Sequence, residues 1–183
     1  MNDVAESTQV VTKSKPGPGA VPEVVWAPLA GAALTLLPGL LGLAVGQPWL
    51  FPSLGPTAYL QAAYPQSVTA RLRNVLAGHL LGALAGFAAV FLLGAASAPS
   101  PLAGGQLVPV RVWASALGMA LALLAQAPLR LLHPPAAATT LLITLGGLPA
   151  TWSAAGSLAA GVSIVAFAGE IVRRLRLAQP GQK

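Results

Sequence analysis

Leu132-His133-Pro134-Pro135-Ala136-Ala137-Ala138-Thr139-Thr140-Leu141-Leu142 sets a titratable ring, two prolines, three side chains without bulk and two hydroxyls inside an otherwise apolar region. Proline is accepted in the first turn of a helix because its missing N–H would have no intrahelical partner there. The stretch therefore reads as a helix start. The next N–H groups, at Ala136, Ala137 and Ala138, are expected to point out of the helix with only methyl groups around them, where a small anion could reach them. The plainer reading is a capped, buried helix whose Thr139 and Thr140 hydroxyls bond their own backbone.

The surroundings place that helix start in a membrane. Of 183 residues, 55% are apolar and 8% are charged, too few polar groups to cover a soluble globule. Four windows, approximately Val24 to Gly46, Asn74 to Ala96, Val110 to Leu132 and Trp152 to Val172, are long enough for a hydrocarbon core of roughly 30 Å, which takes about 20 apolar residues. The 20 glycines and 17 prolines break helices, and in lipid a broken helix survives only where protein or a water-filled cavity satisfies the freed backbone groups. Cysteine is absent, which removes disulfide frameworks and thiolate metal sites. The formal charge of +6 comes largely from arginines at the window ends. Those are topology signals and lipid-headgroup contacts, whereas a nucleic-acid partner would need a basic exposed face.

Read in order, residues 1–23 form a polar tail, expected to be disordered and cytoplasmic, and lack the apolar core of a signal peptide. One transmembrane domain follows over 24–173, made of repeat one (24–96), a Pro/Gly/Ser-rich loop (97–109) and repeat two (110–173), with a basic tail at 174–183. Pro38 is expected to kink the first span. Trp49 to Leu60 is apolar but too short to span, and reads as a short or re-entrant helix starting at Pro52 or Pro56. Asn74, Gly78, Gly82 and Gly86, spaced by four, put small residues along one face of the second span, a face suited to a homo-oligomer.

The halves repeat. Val112-Trp113-Ala114 matches Val25-Trp26-Ala27 at an offset of 87, Pro134, Thr139 and Leu142 match Pro52, Thr57 and Leu60 at 82, and Gly156 and Leu158 match Gly78 and Leu80 at 78. If the short helices cross, Lys13, Lys15, Arg71, Arg73, Arg130 and the Arg173-Arg174-Leu175-Arg176 cluster share one side and Arg111 alone lies opposite. The positive-inside bias favours that arrangement, an inverted repeat with both termini in the cytoplasm. The fold class is thus an all-α membrane protein of four transmembrane helices and two short helices.

His133-Pro134-Pro135, Pro52-Ser53-Leu54-Gly55 and Arg73-Asn74-Val75 leading to Gly78-His79-Leu80-Leu81 together resemble the HPP family of small integral membrane proteins, over about Trp26 to Arg173. The resemblance implies four transmembrane helices and, from plastid and cyanobacterial members, an association with nitrite transport. Many members carry glycine where this chain has Ala136 and Ala137. A CBS-type regulatory domain, fused to some relatives, is not expected after Arg176.

The chemistry expected is passage of a small monovalent anion, nitrite favoured, across a bacterial inner membrane, with no enzyme activity and no cofactor. No Asp or Glu falls inside the spans before Glu170, so coupling through a buried carboxylate is disfavoured. Two helix starts meeting near a pseudo-symmetry axis would offer N–H groups, helix-dipole ends and the hydroxyls of Ser53, Thr57, Thr139 and Thr140, with Pro52, Gly55, His133, Pro134, Pro135, Ala136 and Ala137 lining the site. Chloride, nitrate and formate fit the same polarity. His133 is either a gate and proton carrier, titrating near the ordinary imidazole value of about 6.5, or a structural donor to a carbonyl. His79 and Asn74 are candidates for a gate or pore. A scaffold subunit without transport is the main alternative, bis-histidine haem ligation a lesser one, and an intramembrane hydrolase the weakest, since no serine, histidine and carboxylate set lies near the short helices.

Overall fold

The computed structural model describes residues 19–181, so most of the expected N-terminal tail, with Lys13 and Lys15, lies outside the described residues. Within them the chain forms six α-helices: α1 (Glu23–Val45), α2 (Leu54–Ala63), α3 (Leu72–Leu92), α4 (Pro109–Gln126), α5 (Ala136–Thr144) and α6 (Trp152–Leu177). Four of them, α1, α3, α4 and α6, are long and apolar enough to cross a membrane. All four windows read from the sequence are therefore helices, with ends shifted by a few residues. α1 continues as helix through Pro28 and Pro38.

Local sequence sets the ends. α1, α3 and α5 each stop at a left-handed glycine, Gly46 (φ 66°), Gly94 (φ 64°) and Gly146 (φ 79°), where a residue with a Cβ would be strained. In each case the following N–H reaches back five residues, Gln47 to Gly42, Ala95 to Val90 and Gly147 to Leu142, which satisfies a last-turn carbonyl. α4 opens on Pro109 at its first position. α6 opens on Thr151, whose Oγ1 accepts from Ala154 N at 3.2 Å, the ordinary work of a threonine N-cap.

The contacts at the helix ends give the topology. α1 begins beside the end of α6, where Arg176 Nη1 donates to the Val21 carbonyl (2.6 Å), and ends beside the start of α6, where Ser157 Oγ donates to Gln47 Oε1 (3.4 Å). α3 then begins back at the first level, with Leu72 N donating to Glu170 Oε2 (3.3 Å). Residues 47–71 therefore cross the bilayer thickness instead of turning back. Residues 127–151 cross as well, from Gln126 Oε1, which accepts from His133 N (3.2 Å), to Thr144, whose carbonyl accepts from Arg111 Nη1 (3.1 Å) at the start of α4.

Each half thus makes three passes and the two run in opposite senses, an inverted repeat. The packing shows the same two-fold relation: α1 on α2 answers α4 on α5, α3 on α4 answers α6 on α1, and α3 on α5 answers α6 on α2, with α3 on α6 at the axis. Arg71, Arg73, Arg130 and Arg173 to Arg176 gather at one end. Arg111, buried, donates at the other end to the Ala98 (2.7 Å) and Pro99 (3.3 Å) carbonyls as well as to Thr144.

The glycine stripe is not an oligomer face. A Cβ on Gly78 would overlap His133 Cβ, one on Gly82 would lie 2.8 Å from the Ala136 carbonyl oxygen, and one on Gly86 3.2 Å from Ile143 Cβ. Gly78, Gly82 and Gly86 are small so that α5 and the turn before it can lie against the backbone of α3, inside one protomer. Self-association would need another surface.

Gly82→Ala is expected to lower thermal stability, since overpacking against backbone costs roughly 1–3 kcal/mol, whereas Gly156→Ala, inside α6 with nothing within 4 Å of the added methyl, leaves it unchanged or raises it slightly. Thermal unfolding in detergent followed by tryptophan fluorescence separates the two; equal effects would contradict the packing. For the topology, single cysteines introduced at the exposed positions 71, 106 and 174 of this cysteine-free chain are expected to react with an impermeant maleimide in two classes. Positions 71 and 174 share one side of the membrane and 106, in the loop before α4, takes the other; 71 and 174 on opposite sides would refute the crossing short helices.

Candidate functional site

α2 and α5 both begin halfway through the membrane. Leu54 packs on Gly161, well inside α6, and the Ala136 carbonyl lies against Gly82, at the midpoint of the 21-residue α3. From there the two helices run to opposite faces. Their first turns carry Thr57 and Thr139, the residues related by the offset of 82, and His133 sits three positions ahead of α5.

These side chains meet around His79 of α3. Thr57 Oγ1 lies 2.9 Å from His79 Nε2 and 3.0 Å from His133 Nε2. His79 Nδ1 lies 2.7 Å from Thr139 Oγ1. His133 Nδ1 lies 2.8 Å from the Thr69 carbonyl, in a 3₁₀ turn over Val68–Ala70. The ring centres are 5.0 Å apart and tilted by 59°. Thr57 and Thr139 are fully buried, and His79 and His133 are 2% and 1% exposed, so the cluster is closed to both faces. Ser53, one turn before Thr57, is also fully buried, and its hydroxyl oxygen has no hydrogen-bond partner among the described residues.

Several expected site residues serve the scaffold instead. The N–H groups of Ala136, Ala137 and Ala138 are not free: they bond the His133 (2.9 Å), Pro134 (3.0 Å) and Pro135 (3.1 Å) carbonyls. The tight turn formed by the two prolines supplies those acceptors, so the helix start keeps its dipole but not its spare donors. Thr140 turns away from the rings, its hydroxyl donating to the Gly82 (2.9 Å) and Ala136 (3.3 Å) carbonyls. Asn74 is a clasp and not a gate, with Nδ2 donating to the Arg130 (3.4 Å) and Leu132 (3.1 Å) carbonyls and so holding the loop that presents His133. Pro52, Gly55 and Pro134 are exposed; Gly55 faces α1 across a 250 Å³ cavity lined also by Ala27, Gly31 and Thr35.

Three contributors were not read from the sequence. Gln126 fixes the His133 backbone, and Gln61, fully buried, spans from α2 to the Ala70 (3.4 Å) and Ala166 (3.5 Å) carbonyls with its own Oε1 unpartnered. Both are lone amides in apolar helices, a signal of a polar role in lipid. Thr69 acts through its backbone carbonyl, for which no side-chain signal exists. A 430 Å³ groove between α3 and α6 reaches the cluster at His79, and apart from Ser163 its walls are apolar, among them Leu80, Leu84, Phe87, Trp152 and Leu158.

The geometry does not favour bis-histidine haem ligation. Both Nε2 atoms converge on one hydroxyl and both Nδ1 atoms are engaged, so no ring nitrogen is left to face a metal across a macrocycle. Among the described residues no group of three or more His, Cys, Asp or Glu is placed to hold a metal ion.

No curated protein and no solved structure matches the chain. A family model described as HPP, transmembrane region, matches residues 16–180. That span contains both short helices, the paired histidines and the His133-Pro134-Pro135 turn, and the chain belongs to the HPP transmembrane family.

Proposed function

We propose that the protein moves a small monovalent anion, nitrite favoured, across a bacterial inner membrane through the region where α2 and α5 begin. The observation that carries the reading is the meeting of two helix N-termini at mid-depth, an arrangement in which the positive ends of both helix dipoles favour an anion. The fully buried, unpartnered Ser53 hydroxyl stands at one of those starts and can donate to it. Among the described residues no carboxylate lies in the site to compete. Glu170, near the end of α6, is held by Arg173 (2.8 Å) and Arg174 (2.7 Å).

Because the backbone donors of Ala136 to Ala138 are already engaged, dehydration of the ion is offset by hydroxyls and dipoles more than by free N–H groups. The arginine-rich end faces the cytoplasm by the positive-inside bias, with both termini there. Nitrite is preferred over nitrate, formate and chloride on the family resemblance, since the polarity of the site suits all four.

The test is anion flux into proteoliposomes, comparing nitrite, nitrate, formate and chloride. Purified protein is expected to carry nitrite, and Ser53→Ala to lower the flux about tenfold or more, the loss of a donor to a charged partner being worth roughly 1.5–3 kcal/mol. Well-folded protein that moves none of the four overturns the reading in favour of a membrane scaffold.

A further inference from the structure

The partners of the two rings leave one neutral arrangement of protons. A carbonyl only accepts, so His133 Nδ1, 2.8 Å from the Thr69 oxygen, carries a hydrogen. In the neutral ring Nε2 is then a bare acceptor, and the hydrogen between it and Thr57 at 3.0 Å belongs to the threonine. Thr57 has a single hydroxyl hydrogen, which goes to His133 Nε2 at 3.0 Å in preference to the Ser53 carbonyl at 3.4 Å, so its oxygen accepts at 2.9 Å from a hydrogen on His79 Nε2. His79 Nδ1 is in turn an acceptor, served by the Thr139 hydroxyl at 2.7 Å. The chain of donors runs one way, from Thr139 to Thr69. The tautomers are opposite, Nδ1–H on His133 and Nε2–H on His79.

We propose that this chain is a binding site for one proton, shared between His79 and His133 through the Thr57 hydroxyl. An incoming proton replaces the hydrogen that Thr139 hands to His79 Nδ1, and His79 becomes a cation donating to Thr139 and to Thr57. The His79 Nε2 hydrogen then passes to Thr57 while the Thr57 hydrogen passes to His133 Nε2. The charge now rests on His133, which donates to Thr57 and Thr69, while Thr57 donates back to His79. In both charged arrangements every ring N–H meets an acceptor, the Thr139 hydroxyl hydrogen turns away from His79, and the heavy atoms keep their places. The far end is a carbonyl with no hydrogen to give, so Thr139 is the end through which the proton comes and goes.

A second proton would put two cations at ring centres 5.0 Å apart in a buried site, which like-charge repulsion and desolvation oppose. The groups facing the rings are Thr57 from α2, Asn74 beside the loop, Gln126 from α4, Thr139 from α5, Ser163 of α6 across the groove and the Thr69 carbonyl. None of these titrates between pH 4 and 9. The charged side chains on the surrounding helices lie toward their ends: Arg71 and Arg73 at α3, Arg111 at α4, and Glu170, Arg173, Arg174 and Arg176 at α6. Resting on the transport reading, the loaded pair is the counter-charge that travels with the anion.

The chain holds two histidines, so nitrogen NMR of ¹⁵N-histidine-labelled protein in lipid nanodiscs reads both rings directly. The expected result is one Nδ1–H and one Nε2–H tautomer at high pH, and a single one-proton step in which both rings shift together. Thr57→Val is expected to lose the common step and Thr57→Ser to restore it. Two like tautomers, or two rings titrating independently in the unaltered protein, overturn the proposal. The same protein in liposomes holding a pH-sensitive dye is expected to take up protons down a nitrite gradient, a signal lost in Thr57→Val. Nitrite flux with independently titrating rings sinks the relay and keeps the transport reading; a shared proton without any anion flux supports the relay and sinks the transport reading.

Discussion

Starting a helix in the middle of a bilayer leaves backbone groups that water cannot reach, and the structure depends on how they are satisfied. Each orphaned N–H or carbonyl in hydrocarbon costs several kcal/mol, about as much as a sizeable share of a domain's net stability. Here α5 begins on two prolines, which remove two donors outright, and the next three N–H groups close onto the His133, Pro134 and Pro135 carbonyls. The loop before them is held by side-chain amides, with Asn74 donating to the Arg130 and Leu132 carbonyls and Gln126 accepting from His133 N. The glycines of α3 let this turn approach closely enough for those bonds to form. The site is therefore a by-product of solving a backbone problem: once the turn is pinned, His133 has nowhere to point except at His79 and Thr57.

Charge is distributed to match. The interior around the rings carries hydroxyls and amides, while the cations sit at the membrane ends, where they bond carbonyls or Glu170. Arg111 illustrates the cost of doing otherwise. Buried without a carboxylate, it is satisfied by three backbone carbonyls, one of them at the C-terminal end of α5, where a cation also suits the helix dipole. That contact ties the loop after α3 to the end of the short helix.

Much of this was legible before any coordinates. Apolar windows gave the spans, the matched Trp, Pro, Thr and Gly positions gave the repeat, and the arginine distribution gave its inverted sense, because those signals are set by lipid contact and by period. Thr57 and Thr139 were found together for the same reason, being equivalent positions of the two halves. The meaning of the glycine stripe was not legible: small residues at a spacing of four say that a backbone comes close, not whose backbone it is. Nor was the fate of the Ala136 to Ala138 donors, since the turn that consumes them depends on carbonyl directions. The bridging of two histidines by one hydroxyl joins residues 22 and 76 positions apart, and no local pattern encodes such a meeting.

The most direct measurement is electron cryomicroscopy of the protein in lipid nanodiscs with nitrite present. The expected result has both short helices beginning at mid-membrane, the Thr57 hydroxyl within hydrogen-bond distance of both Nε2 atoms, and ion density beside Ser53. Short helices lying at the membrane surface, with the two imidazoles apart and Thr57 turned to lipid, would contradict it.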